Sequence, residues 1–289
     1  MRPSWLAQFL ADERLPESYG AFVEEVARPL ADDIAGRADA PGLVVGICGA
    51  QGSGKSTLTA ALARLLEMRG LKAAVLSLDD LYLTHAERQA LAAQAHPLLA
   101  TRGVPGTHDI ALGERLLEAL AKPGRVALPA FDKARDDRVA GPSFEGPADV
   151  VLFEGWCVGA RSQRPEDLAV PINDLERKRD PDGAWRAYVN EALAGPYRRL
   201  FSRIDHLVLL QAPGFEAVLG WRLEQERKLR ERLAREGRDL ARVMSDEQVR
   251  AFVQHYERLT RWILAEMPGR ADMVVPLDAA RRPVAARGA

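Results

Sequence analysis

Residues 46–57 read GICGAQGSGKST and follow the apolar run Leu43-Val44-Val45. Four glycines in a dozen residues are costly in a strand or a helix, because glycine loses more backbone freedom on folding than any other residue. Their spacing supplies the reason. Gly49-Ala50-Gln51-Gly52-Ser53-Gly54-Lys55-Ser56 fits G-x-x-x-x-G-K-[ST] at every position, between an expected strand and an expected helix. Backbone N–H groups at a helix start form an anion site. Lys55 is then placed to reach the β- and γ-phosphates of a nucleotide, and the Ser56 hydroxyl to take a place on Mg²⁺. Residues Gly49 to Thr57 are the expected ATP cradle, with Lys55 also catalytic. The expected cofactors are ATP and Mg²⁺.

Working outward, Leu43 to Cys48 suits a strand buried on both faces, and Lys55 to Met68 carries helical periodicity up to Gly70. Further apolar runs at Ala73–Leu78, Asp149–Phe153, His206–Leu210 and Asp272–Pro276 read as strands, with a short one at Val126–Leu128. Helical patterns fall between them. One opens on the capping box Thr84-His-Ala-Glu87 and another on Ser245-Asp-Glu-Gln248; others span 110–121, about 184–202 and 215–235. Residues 160–183 read as a polar surface excursion. Strands alternating with helices predict an α/β fold, a doubly wound parallel sheet with ligands at the carboxyl ends of its strands. Residues 1–38 form an expected helical extension packed on the core, 39–278 the core domain, and 279–289 a mobile tail.

The 289 residues suffice for one large α/β domain or two small ones. With 40 basic and 41 acidic residues, no global field favours nucleic acid or a membrane surface. No apolar run approaches the roughly 18 residues of a membrane span. The N-terminus MRPSWLAQFLADERLPE meets acids too early to read as a secretory signal. Cys48 and Cys157 are far apart in apolar surroundings and suggest neither a disulfide framework nor a zinc site. A cytoplasmic monomer or homodimer acting on a small molecule is the expectation.

A phosphate loop alone does not define a function. A GTPase would be expected to carry N-K-x-D, and none is present. Ser77-Leu-Asp79-Asp80-Leu-Tyr82 follows the second strand, where a carboxylate can orient an attacking hydroxyl or take its proton. Either acid can equally be a turn or capping group. Glu154, in Phe153-Glu-Gly-Trp156, ends another strand, where it can hold Mg²⁺ or simply close the strand.

These stretches together resemble the uridine kinase, phosphoribulokinase and pantothenate kinase group of P-loop kinases. SLDDLYL resembles its S-x-D-S-F-Y/H stretch, and Phe131-Asp132 to Arg138 its Y-D-x-x-x-x-x-R. FEGW resembles its strand-end E-G, Arg235-Glu-Gly-Arg238-Asp-Leu its lid segment R-G-R-D-L, and Ala271 to Pro276 its terminal A-D-x-x-I-P. Within that group the closer likeness is to the D-glycerate 3-kinase branch. It rests on Arg102-Gly-Val-Pro-Gly-Thr-His-Asp109, Phe131-Asp-Lys133, Phe153 to Gly159, Trp221-Arg-Leu-Glu-Gln-Glu226, and Met244 to Tyr256. The compact Lys133–Arg138 segment leans towards bacterial relatives rather than the longer plant form. The resemblance implies transfer of the ATP γ-phosphate to the 3-hydroxyl of D-glycerate. A uridine- or pantothenate-type kinase and a non-catalytic ATP-binding protein are the alternatives.

The resemblance also implies roles. Asp79 aligns with the catalytic base and joins Ser56 and Glu154 as a metal group; its neighbour Asp80 counts with Tyr82 among the expected substrate-binding groups. Asp132 aligns with a substrate-hydroxyl binder and Arg138 with a substrate or phosphate contact; Tyr82 stands beside them. Arg102, His108, Lys133 and Arg138 are candidate partners for a substrate carboxylate. Asp109 reads as a helix cap, and the other histidines as structural. Residues about 222–245 form the expected lid, with Arg230 as a catalytic arginine and Arg227 and Arg238 on ATP.

Overall fold

The computed structural model describes residues 4–237, 239 and 243–284. Helices α1 (Trp5–Asp12), α2 (Tyr19–Phe22) and α3 (Arg28–Arg37) lead into β1 (Leu43–Gly49), α4 (Lys55–Glu67), β2 (Ala73–Ser77), α5 (His85–Gln94) and α6 (Ile110–Leu120). There follow β3 (Gly124–Asp132), β4 (Asp137–Gly146), β5 (Val150–Gly155), α7 (Asp174–Arg179), α8 (Ala184–Ala192) and α9 (Arg198–Phe201). The chain then forms β6 (His206–Gln211), α10 (Phe215–Arg235), α11 (Asp246–Glu266) and β7 (Met273–Pro276).

Five strands form one parallel sheet in the order β2-β5-β1-β6-β7. From central β1 the chain passes through α4 to the β2 edge, and from β5 it crosses to β6 on the other side. That reversal opens a crevice at the carboxyl end of β1, where such sheets receive ligands. Alternate residues of β1 feed the two cores. Val45 and Ile47 pack with Leu58, Leu62 and Leu65 of α4 and with Leu30 and Ile34 of α3; Val44 and Cys48 pack with Leu117, Tyr197 and Ile263. Full burial of each such leucine stabilises by about 1.5–3 kcal/mol. Among the described residues, no helix is long and apolar enough to cross a membrane.

Three elements differ from the expectations. The short strand at Val126–Leu128 is part of an antiparallel β3–β4 hairpin that pairs Gly124 with Gly146 and Asp132 with Asp137. Most of its residues are half-exposed, so it lacks the apolar alternation that marks a half-buried strand. The long helix over 184–202 is interrupted at Leu193–Tyr197 by a wide π turn containing Pro196, which has no N–H to give. The expected tail is folded back through Val284, whose N–H donates to Pro276 O.

Helix α5 follows directly on the turn carrying Asp79 and Asp80. Thr84 Oγ1 accepts from Glu87 N–H, and the Glu87 carboxylate accepts from Thr84 N–H, which completes the capping box. Thr84→Ala is expected to lower stability by about 1 kcal/mol, with Thr84→Ser near wild type, as read from urea-unfolding midpoints.

Candidate active site

The phosphate loop runs from the end of β1 to the start of α4, and its glycines serve different ends. Gly52 (φ 79°) and Gly54 (φ 93°) occupy the left-handed region. A Cβ on Gly52 would also come within 2.8 Å of Trp221 Cβ on α10. The loop therefore has both a fixed shape and a fixed neighbour. The first N–H groups of α4 have no partner within the helix, and Ser53 Oγ is buried without a hydrogen-bond partner. A phosphate fits this donor set.

Beside the loop, Glu154 ends β5 and gathers groups from three elements. Its Oε1 accepts from Ser56 Oγ at 3.0 Å and from Ser77 Oγ, at the end of β2, at 3.1 Å. Lys55 Nζ lies 4.0 Å from Oε2, which is buried and has no hydrogen-bond partner. A buried carboxylate oxygen without a donor is unfavourable, and a cation would satisfy it. Ser56 and Glu154 therefore fit as groups that would hold Mg²⁺ beside the phosphate loop. Among the described residues, no group of three or more His, Cys, Asp or Glu side chains could hold a metal alone, so the phosphates would have to complete the coordination. Ser77, the first residue of the SLDDLYL stretch, carries no expected role from the sequence; its hydroxyl joins the site through Glu154.

Asp79 sits on a 3₁₀ turn (Leu78–Leu81) after β2. Lys133 Nζ donates to its Oδ2 at 2.8 Å and Tyr82 OH to its Oδ1 at 2.7 Å. Burial alone would raise its pKa. The charges of Lys133 and Lys55 and the two hydrogen bonds outweigh burial and hold the carboxyl well below the usual range. Asp80 behaves differently. It accepts from Phe131 N–H at 2.9 Å, which ties the turn to the hairpin, and burial raises its pKa. The adjacent acids are thus separated by their surroundings, with Asp79 facing cations and Asp80 facing backbone.

The other expected substrate groups are mostly engaged within the protein. Asp132 accepts from Ala134 and Arg135 N–H and shapes the hairpin turn. Arg138 donates to Asp109 at 3.0 Å and Glu87 at 3.3 Å, and Asp109 caps α6 by accepting from Leu112 N–H. Arg102 pairs with Asp136 and lies over the Phe131 ring. Asp136 also receives the fully buried Arg88 at 2.5 Å. Neither Arg88 nor Asp136 stood out in the sequence. His108, offered as a cationic partner, is buried, bonded through Nδ1 to Tyr197 and stacked on Tyr82. Burial, against a weaker opposing pull from Asp79, drops its pKa to about 3, so the ring is neutral and forms part of the wall. Lys133 remains as the exposed cation at Asp79.

The stretches that carried the closer resemblance touch one another. Trp156 Nε1 donates to Gly103 O at 2.7 Å, Tyr256 OH to Arg102 O at 2.9 Å, and the two rings meet edge-on. Gly103 has φ 124° and lies against Tyr256, so no side chain fits there. On α10, Trp221, Leu223 and Glu226 are buried, so the first part of the expected lid belongs to the core. Arg227 pairs with Asp246, and Arg230 donates to Met244 O at 2.7 Å. Both are turned to the start of α11 rather than to the phosphate loop. Arg238 lies outside the described residues. A cavity of about 620 Å³ lies elsewhere, around Ile204, Leu207 and Asp272, and the phosphate loop does not line it.

A parallel sheet with this loop at its centre and acids at the neighbouring strand ends is the architecture of a P-loop nucleotide-binding protein. Residues 44–164 match the phosphoribulokinase/uridine kinase family. The chain is 36% identical over 225 residues, 74% of its length and 78% of the other's, to an uncharacterized kinase, mug58, of Schizosaccharomyces pombe. It is 33% identical over 270 residues to the chloroplastic D-glycerate 3-kinase of Arabidopsis thaliana, covering 86% of this chain but only 55% of the plant protein. The solved structure of a D-glycerate 3-kinase from Cryptococcus neoformans superposes with a TM-score of 0.72 at 29% identity, over 91% of this chain and 98% of that one. The chain belongs to the phosphoribulokinase/uridine kinase family and is a D-glycerate 3-kinase-like P-loop kinase.

His108 has a measurable signature. The unfolded chain protonates this histidine near pH 6.5, whereas the folded protein does so only near pH 3. Its stabilising contribution is full above about pH 6.5 and is lost progressively as the pH falls towards 3. His108→Gln is expected to flatten that acid-side decline, measured as unfolding midpoints in buffers from neutral to mildly acidic pH.

Proposed function

We propose that the protein transfers the γ-phosphoryl group of ATP to a hydroxyl of D-glycerate, giving 3-phosphoglycerate and ADP. The observation that carries this reading is Asp79, ionised and held between Lys133 and Tyr82 at the strand end beside the phosphate loop. An acceptor hydroxyl donating to Asp79 has an oxygen lone pair free for the γ-phosphorus. The new O–P bond forms as the bond to the β-phosphate's bridging oxygen breaks and ADP leaves. With its low pKa, Asp79 acts mainly by aligning that hydroxyl. It takes the proton late, as bonding to phosphorus makes the oxygen acidic.

Lys55, at the start of α4, would reach the β/γ-phosphates and balance their charge. Ser56 and Glu154 would hold Mg²⁺, which when bound neutralises charge on the β- and γ-oxygens. Lys133 is free to turn from Asp79 to a substrate carboxylate once the hydroxyl takes its place. In this reading Arg227 and Arg230 leave Asp246 and Met244 for phosphoryl oxygens when the lid closes. The choice of D-glycerate is supported by the names of the plant and fungal relatives and by the cationic character of Lys133.

The test is ADP release with Mg²⁺-ATP against D-glycerate, L-glycerate, glycerol, uridine and pantothenate. Turnover is expected on D-glycerate, with Asp79→Asn reducing kcat by about 10²-fold or more. Turnover on uridine or pantothenate alone would overturn the acceptor and retain the kinase.

A further inference from the structure

The chain beyond β7 forms a tight turn against the phosphate loop. Asp278 accepts from Ala280 and Arg282 N–H, both at 2.8 Å, and its other oxygen receives Arg282 Nε at 2.8 Å. A bridge between Leu277 and Pro283 closes the turn. Trp221 Nε1, from α10, donates to Ala279 O at 2.7 Å. The product of this construction is Arg281, at φ 64°, a conformation that residues other than glycine seldom adopt. Such outliers persist where surrounding contacts over-determine them, and they cluster at functional sites.

Arg281 makes three contacts with two different elements. Its Nε donates to Gly52 O at 2.6 Å. Its guanidinium lies over the Trp221 ring, 5.4 Å from the centroid, and its Nη2 is 2.7 Å from Glu224 Oε2. Trp221 is the residue against which Gly52 packs, and Glu224 lies one turn further along α10. The guanidinium plane thus fastens the second glycine of the phosphate loop to the helix that continues into the expected lid. A donor on Gly52 O fixes the plane of the Gly52–Ser53 peptide, in the middle of the segment that must wrap the phosphates. An arginine offers a rigid fork for this, and a lysine does not.

We propose that Arg281 is a positioning residue for the nucleotide. It holds the phosphate loop in its binding shape through the Gly52 carbonyl and couples that loop to α10 through Trp221 and Glu224. It acts through the loop and does not touch the reacting atoms. This inference rests on nucleotide binding by the kinase and not on the identity of the acceptor.

The test is the affinity of the full chain for Mg²⁺-ADP by calorimetry, a measurement that needs no acceptor and so cannot fail with the substrate reading. Arg281→Ala is expected to weaken Kd by roughly tenfold or more, the scale of one charge-assisted hydrogen bond. Arg281→Lys should recover part of the loss. Glu224→Ala should weaken binding less, and the double variant should be no worse than Arg281→Ala alone, because both act through one clamp. Mg²⁺-GDP should lose affinity in the same ratio as Mg²⁺-ADP. Unchanged affinity in a folded Arg281→Ala chain, or strictly additive effects with Glu224→Ala, would overturn the proposal. A loss confined to one nucleobase would also overturn it, by showing direct contact with the base. Should Arg281→Ala not fold, the same comparisons apply to Arg281→Lys and Glu224→Ala.

Discussion

The site is organised around the Glu154 carboxylate. It stands at the end of β5, between β1 and β2, and accepts hydroxyls from Ser56 at the start of α4 and Ser77 at the end of β2, with Lys55 beside it. Those contacts align the two strand ends flanking β5 with the phosphate loop. One oxygen accepts two hydroxyls, while the other is buried without a hydrogen-bond donor and has only the Lys55 ammonium near it, at 4.0 Å. That oxygen and the buried, unpartnered Ser53 hydroxyl are polar groups that a cation and a phosphate would fit.

Around this anchor the chain separates two adjacent acids. Asp79 and Asp80 are chemically identical and one residue apart, yet the short 3₁₀ turn directs one to Lys133 and Tyr82 and the other to Phe131 N–H. Their pKa values move in opposite directions as a result. The β3–β4 hairpin makes this possible, because it brings Phe131 and Lys133 across more than 50 residues of sequence to the end of β2. Its tip also carries Asp136, whose single carboxylate is shared between the buried Arg88 and the half-buried Arg102.

The cationic residues show how a residue type and its role can part company. Arg102, Arg138 and His108 were candidates for an anionic substrate because arginine and histidine commonly bind carboxylates. In the folded chain Arg138 closes on Asp109 and Glu87, Arg102 on Asp136, and His108 is a neutral ring inside the wall. The stretch Arg102–Asp109 builds that wall through Gly103, Trp156 and Tyr256, which explains why it reads as a unit in the sequence. The arginines of α10 divide similarly, with Arg222 paired to the buried Glu226 and Arg227 to Asp246.

Sequence alone determined the phosphate loop, the parallel sheet and both capping boxes. These depend on local rules: glycines where φ must be positive, apolar runs where a strand is buried on both faces, and a side chain three residues from the N–H it serves. It also placed Asp79 and Glu154 at strand ends, because a parallel sheet puts every carboxyl end on one side. Only the tertiary structure decided which charges remain available. Pairing of Arg102 with Asp136, Arg138 with Asp109 and Arg281 with Glu224 joins residues 29 to 57 positions apart, and no local pattern encodes such partners. The half-exposed hairpin and the folded-back turn after β7 were illegible for the same reason. The hairpin pairs with itself and the turn closes on its own hydrogen bonds, but contacts with distant segments place them, Phe131 on Asp80 and Arg281 on Gly52, and neither has an apolar periodicity of its own.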